Sequence, residues 1–218
     1  MAINHLHAGA ILAAAAFAVA ACSTSEDMWT ATELETINGD GVMRVLTITP
    51  EELAMPADSL TREDAIVLRG ISTDFSPAML ASETYSTLAA RMVATVTSPE
   101  QDGVGIAGPQ VGISRRIVAV QRFDKEGEPF EVYPNIRITS TRGEKEDGGE
   151  GCLSVPGWHG IVPRYQDIDI CYTGADGETV SERVTGFTAV IFQHECDHLD
   201  GVLYPDRASD LDPVDPDA

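Results

Sequence analysis

"FQHECDHLDG", residues 192–201, sets two histidines four apart with a glutamate directly after the first. On a helix of 3.6 residues per turn, His194 and His198 project from one face, one turn apart. Glu195 lies about 100° round, beside that face. Imidazoles in this array bind a divalent metal, and an adjoining carboxylate can move protons for it. The stretch predicts a helix over 187–200 and half of a metal site. Two ligands do not hold a catalytic metal, so a third must come from elsewhere.

Downstream offers none. No histidine follows His198, and Tyr204 stands six residues on, where one class of zinc peptidases places its third histidine. The acids beyond Gly201 fall in "DRASDLDPVDPDA", an acidic, proline-broken tail expected to stay disordered over 208–218. Upstream, "GGEGCLSVPGWHG" (148–160) offers Cys152 and His159. A lone cysteine is more often a core residue than a ligand, so the spacing alone leaves both open.

The chain before the helix reads as strands with one helix. Ser76-Pro77 is a capping hydroxyl followed by proline at the first helical position, predicting a helix to Thr97 with Leu80, Leu88, Met92 and Val96 on its core side. "GVGIAGPQVG" (103–112) is a glycine-rich loop leading into the apolar strand "RIVAVQRF". Strand-like runs follow at 130–139, 153–156, 166–173 and 179–185, with "GADG" (174–177) as a hairpin turn. The apolar stretches "VMRVLTI" and "AIVLRGI" read as a strand-and-loop entry to a domain spanning 42–207. The fold class expected is α+β, with antiparallel strands packed around the C-terminal histidine helix.

The formal charge of −21, with Lys125 and Lys145 the only lysines, repels nucleic acid and excludes a nucleic-acid binder. Residues 8–21, "AGAILAAAAFAVAA", are short for a membrane span and suited to a signal-peptide core. Val19-Ala20-Ala21-Cys22 resembles a bacterial lipobox, which makes 1–21 a signal peptide and Cys22 the lipidated residue. "MAINHLH" departs from that pattern in lacking lysine and arginine. Residues 22–41 then read as an acidic linker. The expected address is the cell envelope, with contact to the membrane through lipid at Cys22. Translation starting at Met28 or Met43 would instead give a cytoplasmic protein. Cys171 and Cys196 read as small buried hydrophobes rather than a disulfide.

Taken together, "GVGIAGPQ" (103–110), "EGCLSVP" (150–156) and "QHECDHL" (193–199) resemble the three signature motifs of the peptide deformylase family, in order and separation. The resemblance implies Cys152, His194 and His198 as metal ligands with a fourth position open. It implies Fe(II) as the metal, with Zn(II), Ni(II) or Co(II) as substitutes. It implies Glu195 as general base and acid, and the Gln110 amide with the Leu153 backbone N–H as donors to the carbonyl oxygen. Gly103, Val104 and Gly105 would border an extended substrate, and Phe187, Val190 and Ile191 would line its methionine pocket. Without the resemblance, those last three read as ordinary core. Two positions depart from the family pattern: Gly108 replaces an alanine, which would loosen the loop, and His159 replaces an arginine and reads as a surface residue.

The implied activity is metal-dependent removal of the formyl group from N-formylmethionyl peptides by a monomer. An envelope address fits a ribosome-linked task poorly. Two other readings therefore stand beside it: an envelope metallo-amidase or peptidase with a changed substrate, and a non-catalytic lipoprotein that binds metal or formyl peptides.

Overall fold

The computed structural model describes residues 28–214. The leader, Cys22 and the last four residues of the tail lie outside the described residues. Short helices come first: α1 (Ala31–Ile37), α2 (Pro50–Leu53), α3 (Glu63–Leu68) and α4 (Pro77–Leu80), then the longer α5 (Glu83–Val96). Strands β1 (Gly105–Ala107), β2 (Ile117–Gln121) and β3 (Phe130–Pro134) pair antiparallel in that order. A second antiparallel sheet is built on the long hairpin of β4 (Arg137–Cys152) and β5 (Val155–Thr173), with β6 (Thr179–Thr185) on the far side of β5. Helix α6 (Phe187–Leu199) follows, and β7 (Leu211–Pro213) closes the described chain. This is the α+β arrangement expected.

Helix α6 touches β1 and β2 of the first sheet and β5 and β6 of the second. A helix covered from both sides is buried nearly all round, and nine of the thirteen residues of "FTAVIFQHECDHL" are buried, polar ones among them. Ala189, Ile191, Phe192, Cys196 and Leu199 join Val118, Val120, Ile168, Ile170 and Val184 in one core cluster. Tyr133 meets Phe192 edge-on, with ring centroids 4.9 Å apart. The histidines are thereby carried on a helix packed against both sheets.

Several expectations are corrected by the structure. Residues 28–41 are not a linker. Thr30 and Glu33 form a reciprocal capping box that starts α1, and Ile37 is fully buried under it. The acidic composition of the stretch hid a short amphipathic helix. The 43–49 stretch is extended but pairs with loops instead of strands, the Leu46 N–H donating to Gln110 and the Ile48 N–H to Ser154. Residues 63–68 are helical, because acids at 63 and 64 suit a first turn and Ala65 and Leu68 share a buried face.

The helix expected over 77–97 breaks at Ala81–Ser82. The Ser82 hydroxyl accepts from the Tyr85 N–H and donates to the Met79 carbonyl, ending one helix and capping the next. The run 130–139 divides at Asn135, whose φ of +56° turns the chain from one sheet to the other. The tail is not free throughout, since Leu211–Pro213 pairs with Trp158–Gly160. Cys171 and Cys196 are both unbridged, Cys196 buried and Cys171 half-buried.

Candidate metal centre

His194 and His198 face the tip of the β4–β5 hairpin, where Cys152 ends β4. The sulfur and one nitrogen of each histidine all lie within 4.8 Å of one another, and Cys152 Sγ is 3.2 Å from His198 Nε2. Sγ accepts from the Ser154 backbone N–H at 3.4 Å and from Gln110 Nε2 at 3.5 Å. His159, the other upstream candidate, is exposed on β5 opposite Gly151 and takes no part.

Behind His194 runs a chain of charges. Glu150 Oε2 lies 2.8 Å from His194 Nδ1, which fixes Nε2 as the atom turned to the site. Arg164 donates to both oxygens of Glu150, at 2.7 and 3.1 Å, and at 2.6 Å to Asp197, which Arg207 also holds. Burial pushes the Glu150 carboxyl up, but His194 and Arg164 outweigh it and hold its pKa at about 2. Burial disfavours a protonated His194, yet Cys152 and Glu150 overcome that and raise it well above an ordinary histidine. His198, lowered by burial and by His194, stays a neutral ligand. Surroundings negative enough to draw a proton onto His194 draw a divalent cation for the same reason. The residues present therefore fit a metal.

Glu195 is buried, and burial pushes its pKa up to about 7. Its Oε2 has no hydrogen-bond partner among the described residues. A Cβ on Gly105 would fall 2.5 Å from Oε1, so only glycine lets β1 pass the carboxylate this closely. Gln110 is oriented by the Ala107 N–H, which donates to its Oε1 at 2.8 Å and leaves Nε2 facing Cys152 and Ser154.

A cleft of about 380 Å³ opens beside these groups. Gly103, Val104, Gly105, Gln110, Leu153, Phe187, Val190 and Ile191 all line it. Phe187 is 55% exposed, so it is a wall of the cleft rather than core, and Phe123 props its ring at 5.3 Å. Gly108 does not loosen its loop. A Cβ there would lie 2.6 and 2.7 Å from the carbonyls of Ile113 and Arg115, so its absence lets the turn close more tightly.

Sequence reasoning missed Glu150, Arg164, Asp197 and Tyr204, whose ring stacks on His194 at 6.1 Å. Glu150 stood in view within "EGCLSVP". Arg164 gave no local signal, because its partners come from β4 and α6.

The family model described as polypeptide deformylase matches residues 58–214. "Peptide deformylase 2" of Pseudomonas putida is 48% identical over 117 residues, covering 50% of this chain and 65% of that one. "Peptide deformylase 1" of Nitrosomonas europaea is 43% identical over 116 residues, covering 50% and 66%. These matches span slightly less than two thirds of each relative's length. The Met-Ala-Ser-bound crystal structure of class I type b peptide deformylase from Acinetobacter baumannii superposes with a TM-score of 0.63 at 34% identity, covering 78% of this chain and 99% of that one. With the three motifs converging on one cleft and the family model covering most of the sequence, the chain belongs to the polypeptide deformylase family.

Proposed function

We propose that this protein hydrolyses the formyl amide of N-formylmethionyl peptides, releasing formate and a free amine. The observation that carries the reading is Glu195: a buried carboxylate whose Oε2 has no hydrogen-bond partner among the described residues, lining the same cleft as Cys152 and His194. Cys152, His194 and His198 would hold one divalent metal, which supplies the Lewis acidity that makes water nucleophilic near neutral pH. Glu195 accepts the proton of the attacking water and returns it to the leaving amine. Gln110 Nε2 and the Leu153 N–H donate to the carbonyl oxygen as its negative charge grows. Val104, Phe187, Val190 and Ile191 give the methionine side chain an apolar wall. The complete site comes from one chain, which supports a monomer. Placed groups for proton transfer and oxyanion binding also speak against a binding protein without turnover.

Formate release from a formyl-Met peptide by the metal-loaded protein is the test. Glu195→Gln is expected to lower it by about 10²–10⁴-fold. Absence of formate with either Fe(II) or Zn(II) defeats the reading, and cleavage of unformylated peptides favours the amidase alternative. Thiolate and imidazole suit several divalent ions, so the metal retained after anaerobic purification distinguishes Fe(II) from Zn(II), Ni(II) and Co(II).

The leader reading gives this activity an envelope address through lipid at Cys22. The docking of α1 bears on the cytoplasmic alternatives. A product beginning at Met43 would lack Glu33 and leave its partner Arg115 buried without that carboxylate. Met28 is the internal start that keeps α1. Palmitate labelling lost on Cys22→Ser supports the anchor, and an unlabelled product beginning at Met28 overturns it.

A further inference from the structure

Residues 28–41 precede the region matched by the family model, yet they are fastened to the loop that carries Gln110. Glu33 accepts from Arg115 Nε at 2.7 Å and from Nη2 at 3.3 Å, and both side chains are more than nine-tenths buried. Arg115 also donates to the carbonyls of Met28 and Asp74. At its other end α1 is held by Arg91, which donates to the carbonyls of Thr36 and Ile37 at 2.7 Å each. Trp29 packs on Phe75 with ring centroids 5.5 Å apart.

The far side of Arg115 bears on the first motif. Its carbonyl and that of Ile113 press against Gly108, and the Ile113 N–H donates to the Gly108 carbonyl at 2.9 Å. Gly108–Val111 is the tight turn that presents Gln110 to the cleft. Contact thus runs without a gap from Glu33 through Arg115 and Gly108 to the Gln110 amide. We infer that residues 28–41 are a clamp that positions Gln110, with Glu33 and Arg115 as positioning residues acting through this turn. The metal ligands are carried by α6 and the β4–β5 hairpin rather than by the clamp, and Gln110 meets them at the 3.5 Å contact of its Nε2 with Cys152 Sγ. Slackening the clamp displaces an oxyanion donor and leaves substrate and metal binding intact. The effect therefore falls on kcat.

The inference rests on the deformylase reading, and its test separates the two. In the full-length, metal-loaded protein, Glu33→Gln removes the charge and keeps the shape. Formate release is expected to lose about tenfold in kcat, with KM and bound metal unchanged. Glu33→Asp should recover most of the rate. Added to Gln110→Ala, Glu33→Gln should cost nothing further. Amide exchange over 108–113 should accelerate while that of 194–198 stays the same. The exchange result holds whether or not the wild-type protein releases formate, so failure of the activity reading still leaves the clamp decided. Equal losses in both backgrounds, a raised KM, loss that follows metal content, or unchanged exchange would each overturn it. Where Glu33→Gln does not fold, Arg91→Gln frees the other end of α1 and is read the same way.

Discussion

Arg122 and Arg164 are both taken almost wholly out of water, with side chains 1% and 5% exposed, and carboxylates meet both. Arg122 donates to Asp124, to Glu182 on β6 and to the Tyr133 hydroxyl, and its guanidinium lies 5.7 Å from the Phe192 ring. It joins the end of β2 to the second sheet and touches nothing in the cleft. Arg164 holds Glu150 and Asp197, and Glu150 holds the ligand His194. Equal burial therefore does not mean equal role. One arginine fastens two sheets together, and the other, through Glu150, fixes the ring of His194, a candidate metal ligand.

The partners also differ in their access to water, and that ranks the consequences. Glu150 and Asp197 are 6% and 14% exposed, whereas Asp124, Glu131 and Glu182 lie between 24% and 34%. Arg164→Leu strands carboxylates that cannot rehydrate, and it is expected to cost about 3–5 kcal/mol by chemical denaturation. Arg122→Leu leaves carboxylates that solvent can reach, and about 1–3 kcal/mol is expected. The sharper distinction is metal affinity per folded molecule, which should fall in the Arg164 variant and hold in the Arg122 variant. Equal metal loss in both would dissolve the contrast.

A smaller change isolates the second half of the Arg164 chain. Glu150→Gln keeps a hydrogen-bonding group beside His194 but removes its charge. Competition with a chelator should show metal affinity about 10–100-fold weaker, with the fold retained. The smallest effect belongs to the solvent-exposed counterpart of these clusters. Arg142, itself 43% exposed, pairs with Asp167 and Asp169 at the surface, where an ion pair adds little. Arg142→Ala should leave the melting temperature where it was, and a clear drop would mean that burial is not what separates these networks.

What could be read from the chain alone was whatever short-range spacing encodes. A spacing of four positions fixes the direction of the two histidines on a helix whatever surrounds it, and "GADG" makes its turn locally. Three motifs in order were enough for the family, and the residues expected to border the substrate all line the cleft. Composition misled where it averaged over a local signal. The capping pair Thr30 and Glu33 was present in the acidic stretch, but nothing nearby showed that Ile37 would find a core to enter.

Only the tertiary structure decided which charges would meet. Arg164 reaches Glu150 on β4 and Asp197 on α6, and Arg115 reaches Glu33 across 82 positions of sequence. No propensity or period encodes such pairs, because either residue alone is equally stable in water. It is the closing of the sheets around α6 that removes the solvent and makes the partner necessary. The sequence, through its motifs, named Cys152, His194, His198 and Glu195 as candidates and set the histidines and Glu195 on one helix. Folding determined what orients them, since orientation comes from buried contacts that exist only once the chain is closed.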